Sequence, residues 1–400
     1  MNILFLHRSF PAQFKHIATT LAQDPSNLVM FITNTENGQI HGVNKLVYKP
    51  KREVSKGCDP YLQVYEETVI HGEAAANIAK VMTQCGIKPD IIYGFSWGPP
   101  MFIKELFPDT PLICYFEWFG KSENSVFDFG GVNLTQSQKE SIKCNNSHVL
   151  LDLCNCDAGI TPTYWQRDQF PKEFHHKIKV LHDGIDTDVC KPDNNVKIFI
   201  EGSNLELNSG DEIITYATRG MEPYRGFPQF MEAVSILLKK RPNAKFIIAG
   251  ADAVCYSPKL AQGTYKELML KKFDIDLNRV LFVGSLPFEH YLKVLQISSV
   301  HVYLTYPFIL SWSVLEAMSA GCCVVASDTK PVTEVIKDNY NGLLTDFFNV
   351  EQLVEKIEYA LDNQAKMKEI RANARKTIAE NYALKDILPK HIEYIKSLIK

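Results

Sequence analysis

Four hundred residues exceed what one hydrophobic core usually supports, so two domains are expected. With 46% hydrophobic and 22% charged residues the chain has an ordinary soluble composition, and a net charge of −3 gives no reason to expect a nucleic acid as partner. No apolar run reaches the length needed to span a bilayer.

The chain opens on Met1-Asn2-Ile3-Leu4-Phe5-Leu6, which meets polar His7-Arg8-Ser9 at once. That reads as a first strand, not a signal peptide. Strands are predicted at Ile3–Leu6, Leu28–Thr33, Ile91–Gly94, Leu112–Phe116, Ala158–Thr161 and Ile178–Leu181. Helices are predicted near Pro11–Ala22, Tyr61–Cys85, Pro100–Phe107 and Ser137–Asp152. The stretch from Trp118 to Thr135 is a long loop with Gly120, Gly130, Gly131 and three phenylalanines, either functional or packed on its own apolar residues. His182–Asn195, with Gly184, Pro192 and several aspartates, reads as an interdomain linker.

The alternation then restarts. Strands are predicted at Ile213–Ala217, Lys245–Ala249, Val280–Phe282, Val300–Leu304 and Cys323–Ala326. Helices are predicted at Pro228–Lys240, Lys259–Lys272, Pro287–Ile297, Trp312–Ala320 and Pro331–Lys337, and the chain is helical from Val350 to its end. Strand–helix alternation with β-branched strands indicates two α/β, doubly wound, Rossmann-like domains with parallel sheets. The expected division is 1–190, 191–380 and a C-terminal helix, 381–400, returning to the first domain.

The ten cysteines include no CxxC pair; Cys154 and Cys156 are one residue apart, and Cys322 and Cys323 are adjacent. Neither spacing suits zinc, so reduced thiols in a cytoplasmic protein are expected. No GxGxxG follows a strand, so a nicotinamide enzyme lacks its fingerprint.

Two segments carry the chemistry. In Tyr216-Ala217-Thr218-Arg219-Gly220 a strand ends on an arginine, and Arg225 follows six residues later. In Pro307-Phe308-Ile309-Leu310-Ser311-Trp312-Ser313 a strand runs into a helix N-terminus. Two guanidinium groups and a helix start suit a diphosphate. Glu316, about one turn into that helix, suits sugar hydroxyls. Together they read as a nucleotide-sugar site.

The order of these motifs resembles glycosyltransferase family 4, a retaining family of the GT-B fold. That family has two cations at the spacing of Arg219 and Arg225. It also has two glutamates eight apart, followed by Ala-Met; here Glu316 is followed by Ala317-Met318 and then Gly321-Cys322-Cys323-Val324-Val325-Ala326-Ser327. His182-Asp183-Gly184-Ile185-Asp186, Pro331-Val332-Thr333-Glu334 and Asn341-Gly342-Leu343-Leu344 complete the likeness. Phe308 departs from it, standing where the first glutamate is usual. The N-terminal glycine-rich loop of many members is also absent, and Glu117 stands near a position often held by histidine.

The resemblance implies two domains facing across a cleft. It implies transfer by front-face substitution through an oxocarbenium-like state, with Arg219 and Arg225 stabilising the leaving diphosphate. It places Glu117 among the catalytic candidates. Donor contacts fall to Gly220, Ser285, Leu286, Phe308, Ile309, Leu310, Ser311, Trp312, Ser313 and Glu316, with Gly284-Ser285-Leu286 receiving the base. His7, Arg8, Ser96 and Trp97 follow strands and are the acceptor-side candidates. Each has a plainer alternative: ion pairs from Arg219 and Arg225 to Glu222, an exposed helix position for Glu316, a surface loop for His7 and Arg8, core packing for Trp97 and Trp312.

No metal or other cofactor is implied. Asp274-Ile275-Asp276, the one Asp-x-Asp, precedes Arg279 and reads as a cap. The last 36 residues hold nine Lys or Arg against four Asp or Glu, which suits either solubility or an anionic membrane surface. The expected function is sugar transfer from an NDP-sugar to a glycan or lipid-linked acceptor, in bacterial surface polysaccharide or glycoconjugate synthesis. The rivals are a sugar-nucleotide epimerase or phosphorylase of the same fold and a non-catalytic sugar-binding protein. Peripheral membrane association is the expectation attached to a lipid-linked acceptor, and oligomeric state is not legible.

Overall fold

In the computed structural model, residues 1–200 and 205–399 are described. The chain divides into two units, Met1–Gly184 with Lys385–Lys400, and Ile185–Leu384.

The apolar runs of the first unit form β1 (Asn2–Leu6), β2 (Leu28–Thr33), β3 (Val43–Val47), β4 (Ile91–Phe95), β5 (Leu112–Tyr115), β6 (Ala158–Thr161) and β7 (Ile178–Val180). They pair in parallel in the order β3-β2-β1-β4-β5-β6-β7. Alternate residues of each strand enter opposite layers. Leu4, Leu6, Ile92 and Cys114 join one cluster, and Ile3, Phe5, Tyr93 and Tyr115 the other. Helices α1 (Lys15–Ala22), α2 (Gln63–Gln84), α3 (Gln136–Asn145), α4 (Ser147–Asn155) and α5 (Tyr164–Gln169) connect the strands.

In the second unit an antiparallel hairpin, β8 (Lys197–Ile200) and β9 (Leu205–Asn208), precedes the main sheet. That sheet holds β10 (Ile213–Gly220), β11 (Lys245–Ala251), β12 (Val280–Gly284), β13 (Val300–Tyr303), β14 (Val324–Ser327) and β15 (Leu343–Thr345), in the order β12-β11-β10-β13-β14-β15. Its helices are α6 (Phe227–Lys240), α7 (Tyr265–Lys272), α8 (Phe288–Gln296), α9 (Trp312–Ser319), α10 (Val332–Val335), α11 (Val350–Asp362) and α12 (Gln364–Asn381). In both sheets the strand order reverses beside the first strand, between β1 and β4 and between β10 and β13. Open α/β sheets take ligands at the carboxyl ends of such strands.

The last helix, α13 (Leu384–Leu398), belongs to the first unit, where Ile387 and Ile395 sit in the same cluster as Ile3 and Phe5. His391 and the carbonyl of His182 lie 3.0 Å apart, and the Lys179 ammonium stands 4.2 Å from the Tyr394 ring centre.

Several local expectations are corrected. Pro100–Phe107 is not a helix but a single 3-10 turn at Ile103–Glu105, because Pro108 closes the segment before a second turn forms. The helix expected at Ser137–Asp152 is two helices broken at Asn146, whose side chain is spent on Gly120: it accepts from the Gly120 N–H at 2.9 Å and donates to the Gly120 carbonyl at 2.7 Å. The helix expected from Lys259 begins at Tyr265, where Thr264 and Glu267 form a capping box. The 118–135 loop is ordered partly by itself, with Ser125 and Val126 buried and Asp128 accepting from the N–H groups of Asn124 and Ser125, and partly by its neighbours, with Trp118 against Trp165 and Phe119 against Phe170.

Candidate active site

In the second unit, a cavity of about 340 Å³ opens at the carboxyl ends of β10 to β13. Arg219, Arg225, Ser285, Leu286, Ser311 and Ser313 line it, joined by Tyr256 and Tyr291. The fold that brings them together depends on two glycines. Gly226, with φ +68°, ends the turn that carries Arg225 and leads into α6, and a Cβ there would stand 2.4 Å from Leu304. Gly250, with φ +142°, lets β11 pass the Thr218 carbonyl, which a Cβ would meet at 2.2 Å.

Arg225 is held from three sides. Its Nη1 donates to Thr305 Oγ1 at 2.9 Å. The guanidinium carbon lies 5.4 Å from the Tyr256 ring centre and 5.7 Å from that of Phe308. The two rings are themselves 5.0 Å apart. Cation–π contact at these distances orients the guanidinium without neutralising it. The Tyr216 hydroxyl adds a bond to the Arg225 carbonyl at 2.7 Å.

The carboxylate of Glu222 is turned to the backbone. It is fully buried, and its Oε2 accepts from the backbone N–H groups of Cys255, Tyr256 and Ser257 at 2.8, 2.8 and 2.9 Å. Its task is to fix the loop that carries Tyr256.

At the start of α9 the Ser311 Oγ accepts from the Ser313 N–H at 3.3 Å, so one of the free helix donors is already occupied. Leu310 is buried in the core, Trp312 is exposed, and Ile309 is half-buried. Gly220 ends β10 against the Ala253 carbonyl. Glu316 is half-buried; its Oε2 accepts from the Tyr291 hydroxyl at 3.0 Å. Burial raises its carboxyl pKa, and the Tyr291 bond opposes that in part. Tyr291, Tyr256 and the role of Glu222 escape sequence reading. The signal for Tyr291 is only that α8 follows the Ser285-Leu286 turn.

In the first unit, His7, Arg8 and Glu117 stand just past β1 and β5. His7 is buried, which pushes its pKa down to about 4, so it is neutral at pH 7. Arg8 donates to Glu67 at 2.7 Å, a half-exposed pair worth little to stability. The Glu117 backbone is fixed by Gln166, which donates to its carbonyl at 2.8 Å. Ser96 is buried and donates to Asp152 at 2.6 Å; burial lifts the Asp152 pKa to about 7. Trp97 packs edge-on against His148, ring centres 4.8 Å apart. Among the described residues no group of three or more His, Cys, Asp or Glu gathers as a cation site, and no helix is long and apolar enough to cross a membrane. Asp276 accepts from the Asn278 N–H at 3.0 Å and from Arg279 Nε at 3.1 Å.

The chain is similar to known glycosyltransferases. Residues 25–190 match the family model described as "Glycosyl transferase family 4 group", and residues 200–377 match "Glycosyl transferases group 1". An uncharacterized glycosyltransferase of Methanocaldococcus jannaschii is 28% identical over 123 residues, 30% of this chain and 31% of its own. A poly(ribitol-phosphate) alpha-N-acetylglucosaminyltransferase of Staphylococcus aureus is 26% identical over 189 residues, 47% of this chain and 36% of its own. These matches thus span about a third of each curated relative. Among solved structures, sucrose-phosphate synthase from Thermosynechococcus elongatus has a TM-score of 0.75 at 15% identity, covering 99% of this chain and 98% of its own. Anabaena HepE in complex with UDP-glucose has a TM-score of 0.70 at 16% identity, covering 99% of this chain and 100% of its own. The fold is GT-B, and both halves of the chain carry glycosyltransferase-type domains.

Proposed function

We propose, for a chain built from two glycosyltransferase-type domains, that it is a retaining enzyme moving a sugar from a nucleoside-diphosphate sugar to a glycan or lipid-linked acceptor. The observation that carries this reading is the cavity in the second unit, where Arg219, Arg225, Ser285, Ser311 and Ser313 meet at the strand ends. Two cations and a serine-capped helix start there suit a diphosphate, whose developing charge they would stabilise as the bond to the sugar breaks. Leu286 and Ser285 offer a surface for the base, and Glu316, aligned by Tyr291, an acceptor for ribose hydroxyls. His7, Arg8 and Glu117 are polar groups of the first unit that suit an acceptor hydroxyl.

Phe308 bears on the sugar. It presents a ring and not a carboxylate beside Arg225, so recognition of sugar hydroxyls falls to backbone groups of Ile309 to Trp312. A less polar sugar is then tolerated better than beside a carboxylate, which would be costly to leave unpaired. The complex of Anabaena HepE makes UDP-glucose the first donor to try. Differential scanning against a panel of nucleotide-sugars tests the reading, since a ligand that binds only the native state raises Tm. A panel in which no nucleotide-sugar shifts Tm would argue against it.

A further inference from the structure

The polar side chains above β1 and β5 are joined by hydrogen bonds that run in one direction. The Ser9 N–H donates to His7 Nδ1 at 2.8 Å. His7 Nε2 and Gln13 Oε1 are 3.1 Å apart. Gln13 Nε2 donates to Glu117 Oε1 at 3.1 Å. Because Nδ1 is already an acceptor, the neutral ring carries its proton on Nε2 and donates to the Gln13 oxygen. The amide is thereby fixed with its oxygen toward His7 and its nitrogen toward Glu117. The far end is anchored too, since Gln166 holds the Glu117 carbonyl at 2.8 Å.

His7 is well suited to be the fixed end of such a chain. It is 6% exposed, and its ring lies 4.3 Å from that of Phe95 and 5.8 Å, edge-on, from that of Phe14. Arg8, the adjacent charge, discourages protonation further. The imidazole therefore keeps one tautomer around neutral pH. Gln13 sits on a 3-10 turn, Ala12–Phe14, between the two strand ends, and the sheet order reverses at β1.

We propose that Gln13 is a positioning residue, which reads the fixed tautomer of His7 and sets the side chain of Glu117 as an acceptor for a substrate hydroxyl. A carboxylate has about four acceptor positions, and the Gln13 amide bond orients one of the two Glu117 oxygens. This role rests on the glycosyltransferase reading given above. Nothing in the sequence marks Gln13; it stands in Phe10-Pro11-Ala12-Gln13-Phe14, an otherwise apolar turn.

Two measurements test it separately. The first needs no substrate: carbon-13 NMR of the Glu117 carboxyl and nitrogen-15 NMR of the His7 ring, in the full chain and in Gln13→Met and Gln13→Glu. Loss of the amide donor in Gln13→Met, which keeps the shape, should raise the Glu117 midpoint by about one pH unit, because a bond to the ionised form is gone. Gln13→Glu should raise it further, by placing a second carboxylate there, and should also raise the His7 midpoint. The second is donor turnover, read as UDP release from UDP-glucose. In Gln13→Met, kcat should fall about 10²-fold with the donor KM unchanged, as expected for a displaced group. An unmoved Glu117 midpoint would overturn the relay, and a moved midpoint with wild-type kcat would overturn the positioning role. A wild-type chain inert toward every nucleotide-sugar would count against the glycosyltransferase reading alone, and the carboxyl titration would still decide the relay.

Discussion

The carboxylate of Glu222 and the backbone N–H of Tyr256 lie 2.8 Å apart, and this bond couples the arginine turn to the loop after β11. The same oxygen holds Cys255 and Ser257, and the Ser257 hydroxyl accepts from the Tyr224 N–H at 2.9 Å. Tyr256 is thus held where its ring meets Arg225. Glu222→Ala leaves three N–H groups unsatisfied, so it should cost ~3 kcal/mol or more and depress Tm visibly. Glu222→Gln, which keeps an acceptor oxygen, should lose less. Urea denaturation of both variants checks this; equal stability of Glu222→Ala and wild type would refute the clamp.

Arg219→Ala and Arg225→Ala should each lower turnover about 10²–10³-fold, the loss expected when one positioned charge is removed from a transition state. Arg225→Lys should retain part of the activity, because it keeps the charge but not the planar fork that bonds Thr305 and stacks on Tyr256. Steady-state kinetics decide, and full activity in both alanine variants would remove the diphosphate assignment.

Glu316 gives the pH dependence. Burial is the larger influence and raises its carboxyl pKa, while the Tyr291 bond lowers it. The folded chain therefore holds this proton more tightly than the unfolded chain. That contribution to stability is present below the ordinary glutamate range and is lost as pH rises through the folded-state value. The hydroxyl-accepting role proposed above for Glu316 is that of the ionised form. In Tyr291→Phe the donor KM should rise and the acid limb of kcat/KM should move to higher pH. An acid limb left in place would separate Tyr291 from Glu316.

Phe308 is wedged between a ring and a cation. Phe308→Glu should lower activity with the native donor, because the new carboxylate neutralises Arg225 and draws it from the diphosphate. Phe308→Leu keeps an apolar wall and should lose less. If leucine is as damaging as glutamate, packing against Tyr256 explains the residue and the specificity argument fails.

Activity should persist in EDTA. In the proposed site two guanidinium groups and the start of α9 would take the place of a cation in stabilising the diphosphate. Strict dependence on added Mg²⁺ or Mn²⁺ would contradict this account of leaving-group stabilisation.

Periodicity made the central strands legible, since runs such as Leu28–Thr33 and Lys245–Ala251 are buried on both faces and read as unbroken apolar segments. β3 and β15 were not legible. The first, Val-Asn-Lys-Leu-Val, is an edge strand whose Asn44 and Lys45 blur the pattern, and the second has only three residues. Arg219, Arg225, Ser311 and Ser313 could be read because strand ends and helix starts are marked locally. Tyr256, Tyr291 and Gln13 could not, because each acts across a tertiary contact with a residue 31, 25 or 104 positions away. Glu222 was visible as a charge, but its burial against three N–H groups depends on a loop with no periodic signal.

The chain enters the second unit and leaves it at one spot. The Ile185 N–H donates to the Tyr382 carbonyl at 2.8 Å, and the Leu384 N–H to the Ile185 carbonyl at 2.8 Å. The second unit is thus threaded into the first as a continuous insert with adjoining ends, while the first is assembled from both extremities of the chain. Excision should therefore be asymmetric. Residues 185–384 form a segment that can be cut out whole, whereas stopping the chain at residue 184 strips Ile387 and Ile395 from the core and leaves an apolar trough. A ribosome must therefore have made α13 before the first unit can close its core.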